Sequence, residues 1–456
     1  MKYCFDEFKK NISGKKVAVV GVGISNAPLI KMIVNLNAQV TACDKRQSLG
    51  DIEDKLKSLG VTLCLGKDYL KGVIGCDVIF RTPSLRPDND YLVKARKDGA
   101  YVTSEMEQFL KYCPCKVFGV TGSDGKTTTT TLISEMLKTT GRRVFLGGNI
   151  GNPLFNIIEE IKEDDFAVVE LSSFQLMDSK YSPDISVVTN VSPNHLDIHK
   201  DMNEYISAKK NVYLHQNENG VLILNRDNDI TYSMKNEAKG KVNMFSIKDS
   251  STFAHLCGEK LIVGGEEVCN IDEVKLPGMH NIENLLAAFS AVYGYVDISQ
   301  MREIAKTFAG VEHRIEFVKE INGIKFYNDS IASSPTRTLA GIKSFKQKVI
   351  LIAGGYDKKI PFDILASEGI DRIKTLIVMG NTKDKIKKAF KEEMKRSNKF
   401  VPIIEAQSLE DAVMKAYGSA VKGDIITMSP ACASFDMFKN FEERGKEFKR
   451  IVNSIN

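Results

Sequence analysis

Short runs of hydrophobic residues alternate with longer amphipathic stretches along almost the whole chain. Runs of this length, bounded by glycine or polar residues, are typical of buried strands, and the stretches between them have the apolar spacing of surface helices. Strands that alternate with helices favour parallel sheets, so we expect an α/β protein. The pattern predicts strands at 15–23, 115–122, 165–171, 185–191, 220–225, 348–355, 374–380 and 424–430.

Glycine-rich turns divide this pattern into three parts. Two predicted strands each begin a glycine turn, near residues 21 and 119, and a third ends in Gly354-Gly355. A chain of 456 residues is also longer than one ordinary domain. Boundaries are expected near Tyr112 to Pro114 and near Gly310 to Arg314. We therefore predict three α/β domains, and the ranges are 1–112, 113–311 and 312–456.

The amino-acid composition argues against a nucleic-acid-binding protein and against a membrane protein. The 63 basic residues are interleaved with 58 acidic ones and leave a formal charge of +5. Non-specific binding to nucleic acid or to a membrane is therefore not expected. Nine cysteines are scattered singly, apart from Cys113 and Cys115, as in reduced cytoplasmic proteins. The chain starts without an apolar leader, and no apolar run approaches about 18 residues. We expect a cytoplasmic protein without a membrane span.

A glycine turn followed by Gly-Lys-Thr carries the first candidate chemistry. It lies between the strand at 115–122 and a helical stretch that ends at Gly141, which is the context of a phosphate-binding loop. Lys126 would neutralise phosphate charge, and the Thr127 hydroxyl would reach Mg²⁺. A purely structural turn is the less favoured alternative. The predicted ATP-binding residues of the loop are Gly122, Ser123, Asp124, Gly125, Lys126, Thr127 and Thr128.

Two further segments carry possible metal ligands. Glu170 ends the strand at 165–171, so its carboxylate would emerge beside the loop, where a hard cation such as Mg²⁺ prefers oxygen. An exposed acid at a strand end is an equally weighted alternative. The strand at 185–191 contains Asn190 and is followed by His195, Asp197 and His199. A lone histidine in a loop is more often a surface residue.

The two ends of the chain leave alternatives open. The turn VAVVGVGISN resembles a dinucleotide-binding turn, with Asn26 in the place of its third glycine and Asp44 further on. A dehydrogenase that binds NAD there is one alternative, and a nucleotide-dependent switch that binds a partner protein is another. Near the C-terminus, Ser434 is predicted to cap a helix whose Phe435, Phe438 and Phe441 form a buried stripe. That helix start would favour an anion.

These motifs resemble the Mur ligase and folylpolyglutamate synthetase superfamily, whose members are ATP-dependent amide-forming enzymes. The resemblance rests on T-G-x-x-G-K-T-T at 121–128, N-x-x-x-x-H-x-D at 190–197, Y-x-x-x-K at 205–209 and H-N-x-x-N at 280–284. Asp124 stands where the family commonly has asparagine. The resemblance implies a Rossmann-like UDP-substrate domain, a central P-loop ATPase domain with a mostly parallel sheet, and a Rossmann-like C-terminal domain for the amino acid.

The same resemblance implies the cofactors and the catalytic residues. Two Mg²⁺ ions would be held, one by Thr127 and Glu170 and the other by Glu170, His195 and a carbamate on Lys209. Lys126, Glu170, His195 and Lys209 would be the catalytic residues. The remaining implied contacts of ATP are Asn281, Asn284, Arg314 and Asp329.

The segment at 428–448 narrows the resemblance to the members that add D-glutamate, and it argues against those that add L-alanine, diaminopimelate or lysine. The implied activity joins D-glutamate to UDP-N-acetylmuramoyl-L-alanine through an acyl phosphate. The protein is expected to be a monomer. Ile331 stands where many relatives have a lysine, and Arg337 is a candidate replacement. The implied UDP-substrate contacts are Gly23, Ile24, Ser25, Asp44, Lys45, Arg46, Thr82, Asn149, Ser172 and Gln175. The implied D-glutamate contacts are Ser333, Lys358, Ser434, Phe435 and Phe441.

Overall fold

The structure is a computed structural model that describes residues 3–23, 26–50, 52–196, 198–276, 278–357 and 360–455. The chain divides into two compact units, Met1–Phe308 and Ala309–Asn456. The first unit contains two sheets and the second unit contains one. The predicted division into three domains stays a prediction, and its first boundary falls between the two sheets of the first unit.

The first sheet has five parallel strands in the order β3-β2-β1-β4-β5. Side chains cap the helices that follow its last two strands: Asn89 accepts a hydrogen bond from the Tyr91 amide, and Ser104 accepts one from the Glu107 amide. The elements are α1 (Phe5–Ile12), β1 (Lys16–Val20), α2 (Asn26–Asn35), β2 (Gln39–Asp44), α3 (Ile52–Ser58), β3 (Thr62–Leu65), β4 (Val78–Phe80), α4 (Asp90–Lys97), β5 (Tyr101–Thr103) and α5 (Glu105–Tyr112).

The second sheet has nine strands in the order β14-β13-β12-β11-β10-β9-β6-β8-β7, parallel except at the hairpins of β12 to β14. Its central strands β8 and β9 are buried at every position, as expected where helices cover both faces. The elements are β6 (Lys116–Thr121), α6 (Lys126–Lys138), β7 (Val144–Gly148), β8 (Phe166–Glu170), α7 (Ser173–Leu176), β9 (Ile185–Val188), α8 (Met202–Lys210), β10 (Val221–Asn225), α9 (Asp229–Ser233), β11 (Lys241–Ser246), β12 (Ala254–Cys257), β13 (Lys260–Val263), β14 (Glu266–Asn270), α10 (Met279–Val292) and α11 (Ile298–Thr307).

The two sheets of the first unit share one hydrophobic cluster. Helix α1 lies between them, and its Phe8 ring is 5.0 Å from Phe155 and 5.5 Å from Tyr112. Edge-to-face rings of this kind bury a large apolar area and stabilise the junction. Among the described residues, no helix is both long and apolar enough to cross a membrane.

The second unit is a six-stranded sheet in the order β15-β16-β20-β17-β18-β19, parallel except for the β15–β16 hairpin. The α/β class and the mostly parallel sheets predicted from the sequence are confirmed. Each of the eight predicted strands is present; seven are shorter than predicted, and the one predicted at 374–380 begins and ends one residue earlier. The elements are β15 (Glu316–Ile321), β16 (Ile324–Asn328), α12 (Pro335–Lys343), β17 (Val349–Gly354), α13 (Asp363–Gly369), β18 (Ile373–Met379), α14 (Lys383–Ser397), β19 (Ile403–Glu405), α15 (Leu409–Gly418), β20 (Ile425–Met428) and α16 (Phe441–Ser454).

Candidate active site

The predicted phosphate loop runs from the end of β6 to the start of α6, as the sequence indicated. Gly122 and Gly125 have φ angles of 151° and 76°, which few other residues adopt. A Cβ on Gly122 would collide with the Thr189 hydroxyl, and a Cβ on Gly125 would collide with the Asn284 amide. Both glycines are therefore required by the close packing of the loop, and backbone N–H groups remain at the start of α6 for an anion.

Residues after β9 hold this loop from one side. The Ser123 amide donates to the Asn190 carbonyl at 2.9 Å, and the Asp124 amide donates to the Asn190 side chain at 2.9 Å. Lys126 Nζ donates to the carbonyls of Gly122 at 3.0 Å and Ser123 at 2.8 Å. The predicted Lys126 thus lies over the loop itself, with its charge at the place where phosphate oxygens are expected. Thr128, the last predicted residue of the loop, lies partly buried in the first turn of α6.

Glu170 ends β8 directly beside the loop, and its side chain is 2% exposed. Its Oε2 accepts from the Thr127 hydroxyl at 2.7 Å, and its Oε1 accepts from Asn149 Nδ2 at 2.7 Å. A hydroxyl and a carboxylate in contact at a phosphate loop are the oxygen donors that Mg²⁺ prefers. The described part of the chain has no group of three or more His, Cys, Asp or Glu side chains that could hold a metal.

Lys209 lies on α8 with 1% of its surface exposed. Its Nζ donates to the Gly122 carbonyl at 2.6 Å, which places the amine at the phosphate loop. Burial lowers the pKa of Lys209 well below its usual value, and the nearby charge of Lys126 lowers it further. A lowered pKa favours the uncharged and nucleophilic form of a lysine amine, so the position fits the carbamate that the resemblance implies.

His195 has a positive φ of 56° and is exposed, and its ring lies 5.2 Å from Phe174. His199 is the buried histidine of this segment: its Nε2 is 2.9 Å from the Ser173 hydroxyl, and its ring stacks on Phe174. Burial lowers the pKa of His199 below its usual value. The structure therefore distinguishes a structural histidine from an exposed one, and it leaves the metal-binding role of His195 a prediction. Asp197 lies outside the described residues.

The predicted adenosine contacts are on the first turns of α10, which packs against α6. Asn284 is buried, and its Oδ1 accepts from the Thr129 hydroxyl at 3.3 Å. Its Nδ2 donates to Asn281 Oδ1 at 3.2 Å. The spacing of three residues brings both amides to one face of the helix, as predicted, next to Gly125 of the phosphate loop.

The first sheet carries a separate cavity of about 450 Å³ at the carboxyl ends of its strands. Asp44 accepts from the Val22 amide at 2.8 Å and from Arg46 Nη2 at 2.8 Å. Burial would raise the pKa of Asp44, but the hydrogen bonds from Arg46 and Val22 outweigh it and bring the pKa to about 2. The cavity is lined by Val20, Gly21, Val22, Gly23, Asn26, Asp44, Lys45, Arg46, Tyr69, Thr82, Pro83, Ser84 and Leu85.

Asn26 explains how this turn forms without a third glycine. Its Nδ2 donates to the carbonyls of Val20 and Gly21, each at 3.0 Å, and so closes the turn from inside. Four predicted UDP-substrate contacts, Gly23, Lys45, Arg46 and Thr82, line the cavity with Asp44. The predicted residues Ile24 and Ser25 lie outside the described residues.

The remaining predicted UDP-substrate contacts lie on the second sheet, beside Glu170. Asn149 donates to Glu170, and Ser172 caps the short helix α7. The Ser172 amide donates to Gln175 Oε1 at 2.9 Å, and the Gln175 amide donates to the Ser172 hydroxyl at 3.3 Å. The structure thus brings Asn149, Ser172 and Gln175 to the edge that carries the phosphate loop rather than to the cavity of the first sheet.

In the second unit, Asp329 follows β16 and is 4% exposed. Its Oδ2 accepts from the Ser429 hydroxyl at 2.6 Å, and its Oδ1 accepts from the Ile315 amide at 3.2 Å. Burial raises the pKa of Asp329 from 3.8 to about 6. Arg314 is exposed one residue before Ile315. Both predicted ATP contacts therefore lie on the same edge of this unit.

A buried arginine organises the predicted D-glutamate residues. Arg444 is completely buried, and it donates to the Ser330 hydroxyl at 3.0 Å and to the carbonyls of Cys432 and Ala433 at 3.1 Å. Burial lowers the pKa of Arg444 to about 10, so it stays charged at neutral pH. Ser434 follows these carbonyls and is buried, and Ser333 lies partly buried three residues after Ser330. Lys358 lies outside the described residues.

The predicted helix at Ser434 is wrong. Residues 434–440 form turns, and α16 begins at Phe441 because Asn440 caps it by accepting from the Glu443 amide at 2.8 Å. The predicted buried stripe fails at Phe435, which is 65% exposed and lies 5.9 Å from the Tyr356 ring. Phe441 is partly buried against His313. The argument for an anion site from a helix start at Ser434 therefore fails, and the contact of Ser434 with D-glutamate stays a prediction.

Sequence reasoning missed two arginines, Arg444 and Arg86. Arg444 lies inside the segment at 428–448, but its partners Ser330, Cys432 and Ala433 are all more than ten residues away. Arg86 binds Glu204, 118 residues further on, with Nη2 to Oε1 at 2.7 Å. No local pattern signals either contact.

Two family models match separate parts of the chain, one in the first unit and one in the second. The model of the Mur ligase middle domain matches residues 120–292, which hold the phosphate loop, Glu170, Lys209 and α10. The model of the Mur ligase glutamate ligase domain matches residues 313–432, in the second unit. A solved structure, UDP-N-acetylmuramate-alanine ligase MurC from Thermotoga maritima, has the same fold with a TM-score of 0.55 at 18% identity, covering 96% of this chain and 99% of that chain.

Curated relatives match the chain much more closely. The UDP-N-acetylmuramoylalanine–D-glutamate ligase of Clostridium kluyveri is 58% identical over 458 residues, covering 100% of both chains. The ligase of the same name from Clostridium botulinum is also 58% identical over 100% of both chains. Such agreement extends over the phosphate loop, the cavity of the first sheet and the second unit alike, and the chain therefore belongs to the UDP-N-acetylmuramoylalanine–D-glutamate ligases of the Mur ligase family.

Proposed function

We propose that this chain joins D-glutamate to UDP-N-acetylmuramoyl-L-alanine with hydrolysis of ATP, in the synthesis of peptidoglycan precursors. The observation that carries the proposal is the contact of Thr127 with Glu170 at a glycine loop that Asn284 and Lys209 also touch. The full-length identity to ligases of that name supports the choice of D-glutamate as the acceptor.

The reaction requires an activated carboxylate because a bare carboxylate is a poor electrophile. An oxygen of the L-alanyl carboxylate attacks the γ-phosphorus of ATP, and ADP leaves. The amine of D-glutamate then attacks the acyl carbon, loses a proton and displaces phosphate. The chain contributes mainly by position and charge, with Lys126 and the start of α6 stabilising the transferring phosphoryl group.

The residues beside the loop fit Mg²⁺. Thr127 and Glu170 would hold one ion, and Glu170, His195 and a carbamate on Lys209 would hold a second. Bound Mg²⁺ would withdraw electron density from the phosphate oxygens and so ease attack on phosphorus. Asn149 fixes the Glu170 carboxylate through a hydrogen bond of 2.7 Å, and such support orients a ligand before the metal arrives.

The proposed carbamate on Lys209 is supported by the burial of its amine and can be tested by NMR. Burial lowers the pKa of the Lys209 amine and so favours its neutral form, whose nitrogen can attack carbon dioxide and lose a proton to give an anionic oxygen ligand. Carbon-13 NMR with labelled bicarbonate should show a carbamate carbonyl in the wild type and none in Lys209→Met. The neighbouring Lys210→Met, whose lysine pairs with Glu237, should keep the signal.

The cavity of the first sheet, with Asp44, Lys45 and Arg46 at its rim, would take the uridine diphosphate part of the substrate. Ser333, Ser434, Phe435 and Phe441 of the second unit would take D-glutamate, together with Lys358. We also propose that the protein is a cytoplasmic monomer, which light scattering of the purified chain tests.

The decisive experiment measures ADP release with UDP-N-acetylmuramoyl-L-alanine and Mg²⁺, with D-glutamate, L-glutamate, L-alanine and L-lysine tested one at a time. Release only with D-glutamate is expected, and Lys126→Met should abolish it. Lys138→Met is the matched control, because Lys138 lies at the end of the same helix and is half exposed. Release with another amino acid would overturn the acceptor, and release with none would favour a nucleotide-dependent switch.

A further inference from the structure

We propose that Arg86 is a positioning residue that couples substrate bound in the cavity of the first sheet to the segment at 198–204, which precedes and starts α8. The proposal rests on the proposed function in one respect, that the UDP-substrate fills this cavity. It concerns how two separate parts of the first unit act together.

Arg86 belongs to the loop that forms one wall of the cavity. Residues 82–85 line the cavity, and the Leu85 amide donates to the Thr82 carbonyl at 3.0 Å. A second turn follows at once, because the Asn89 amide donates to the Arg86 carbonyl at 3.2 Å. Two consecutive hydrogen-bonded turns thus fix the backbone of Arg86 next to the cavity wall. A ligand that orders residues 82–85 therefore also orders Arg86.

The Arg86 side chain pairs with Asp88 of its own loop, with Nε to Oδ1 at 2.9 Å and Nη2 to Oδ2 at 3.0 Å, and it also reaches the segment at 198–204. Its Nη2 donates to Glu204 Oε1 at 2.7 Å, and its Nη1 donates to Glu204 Oε2 at 3.0 Å and to the Ile198 carbonyl at 2.7 Å. A two-pronged arginine–carboxylate pair fixes orientation as well as distance. The hydrogen bond from Arg86 lowers the pKa of Glu204 to about 2. Asp88, from the same loop, adds an ion pair with Lys200 at 2.8 Å.

The segment at 198–204 leads directly to the phosphate loop. Glu204 lies in the first turn of α8, and the next residue, Tyr205, has its hydroxyl 3.0 Å from the Ser123 hydroxyl. One turn further, Lys209 Nζ donates to the Gly122 carbonyl. Arg86 therefore holds the start of a short helix whose other residues touch the site of phosphoryl transfer. A contiguous chain of contacts is a physical route for coupling, and it needs a direct measurement of coupling.

A hydrogen–deuterium exchange experiment on the full chain tests the proposal without turnover. UDP-N-acetylmuramoyl-L-alanine alone should slow exchange in the strands around the cavity and also in peptides covering 198–210. In Arg86→Gln the ligand should still protect the cavity but should no longer protect 198–210. Arg96→Gln is the matched control, because Arg96 donates to Asp178 and the Pro87 carbonyl and does not bond to 198–204. That control should behave as the wild type does.

Kinetics gives a second readout. In Arg86→Gln we expect kcat to fall about tenfold, the size of an ordinary coupling between sites, with KM for the UDP-substrate changed far less. Arg86→Lys, which keeps the charge and loses the fork, should lie between. Glu204→Gln removes the charge of the other partner and should reproduce the fall in kcat. The test therefore does not depend on a single variant that could fail to fold.

The outcomes separate the two proposals. Equal protection of 198–210 in the wild type and in Arg86→Gln, in a protein that releases ADP with D-glutamate, overturns the coupling and leaves the proposed function standing. Absence of protection at 198–210 in the wild type does the same. If the UDP-substrate fails to protect the cavity of the wild type, the coupling falls together with the assignment of that cavity to the UDP-substrate, while ADP release with D-glutamate still decides the proposed function.

Discussion

Replacing Asp329 by asparagine is expected to stabilise the second unit at neutral pH. The carboxylate is buried between β16 and β20, where its oxygens accept from the Ser429 hydroxyl and the Ile315 amide. An asparagine has the same shape, its oxygen can accept from the Ile315 amide, and its NH₂ can donate to the Ser429 oxygen. The substitution therefore removes a buried charge and keeps the hydrogen bonds.

The size of the effect follows from the pKa. Burial raises the pKa of Asp329 from 3.8 to about 6, and the hydrogen bonds offset only part of that rise. A carboxyl group with a raised pKa makes the folded state bind protons more tightly, so the folded state loses stability as the pH rises from about 4 to above 6. A shift of about two units corresponds to about 3 kcal/mol above pH 7, and roughly half of that remains at pH 5.

The assay is urea denaturation of the full chain at pH 5 and pH 7.5, followed by circular dichroism and by hydrogen exchange in peptides of β16 and β20. The gain in unfolding free energy of Asp329→Asn should be about twice as large at pH 7.5 as at pH 5. The exposed Asp384→Asn, on the same unit, should change little at either pH. An equal gain at both pH values would refute the reasoning. Slower ADP release by the stabilised variant would support the predicted contact of Asp329 with ATP.

Three further predictions follow from single contacts. Thr127→Val removes the hydroxyl that donates to Glu170, so a titration of Mg²⁺ against ADP release should need a higher concentration, while Thr127→Ser should behave as the wild type. Asn26→Gly removes two hydrogen bonds inside the first glycine turn and should lower the free energy of unfolding in urea by about 1–2 kcal/mol. It should also raise the KM for the UDP-substrate. An unchanged KM would contradict the binding of that substrate at the cavity of the first sheet. Phe435→Ser should raise KM for D-glutamate and leave the melting temperature unchanged, because the ring is 65% exposed.

The phosphate loop could be predicted from the sequence because the interactions that form it are local. A buried strand, two glycines with positive φ and a lysine within eight residues specify the geometry with little help from the rest of the chain. Strands β8 and β9 are equally clear, since every position is buried and all are apolar except Ser186 and the terminal Glu170. The same holds for Glu170, whose place at the end of β8 follows directly from the length of the strand.

Other elements could not be predicted because their patterns compete or depend on distant partners. Ser434 and Asn440 are both good helix caps, and the sequence does not show that the chain must first turn around the Arg444 side chain. The hairpins of β12 to β14 lie at the edge of a sheet, where half-exposed strands lack a continuous apolar run. The exposure of Phe435 follows from the same error, because its spacing from Phe438 and Phe441 has meaning only in a helix.

Residues that take part in the chemistry can therefore be recognised from the sequence more easily than the residues that position them. Phosphate binding uses backbone N–H groups and neighbouring side chains, so its motif is short. Positioning depends on pairs such as Arg86 with Glu204 and Arg444 with Ser330, which are 118 and 114 residues apart. Each pair joins two elements whose relative position depends on the whole sheet. A different pair of residues could hold the same elements together while the phosphate-binding motif stays the same. Differences in rate between ligases with the same motifs should accordingly be found first at such pairs.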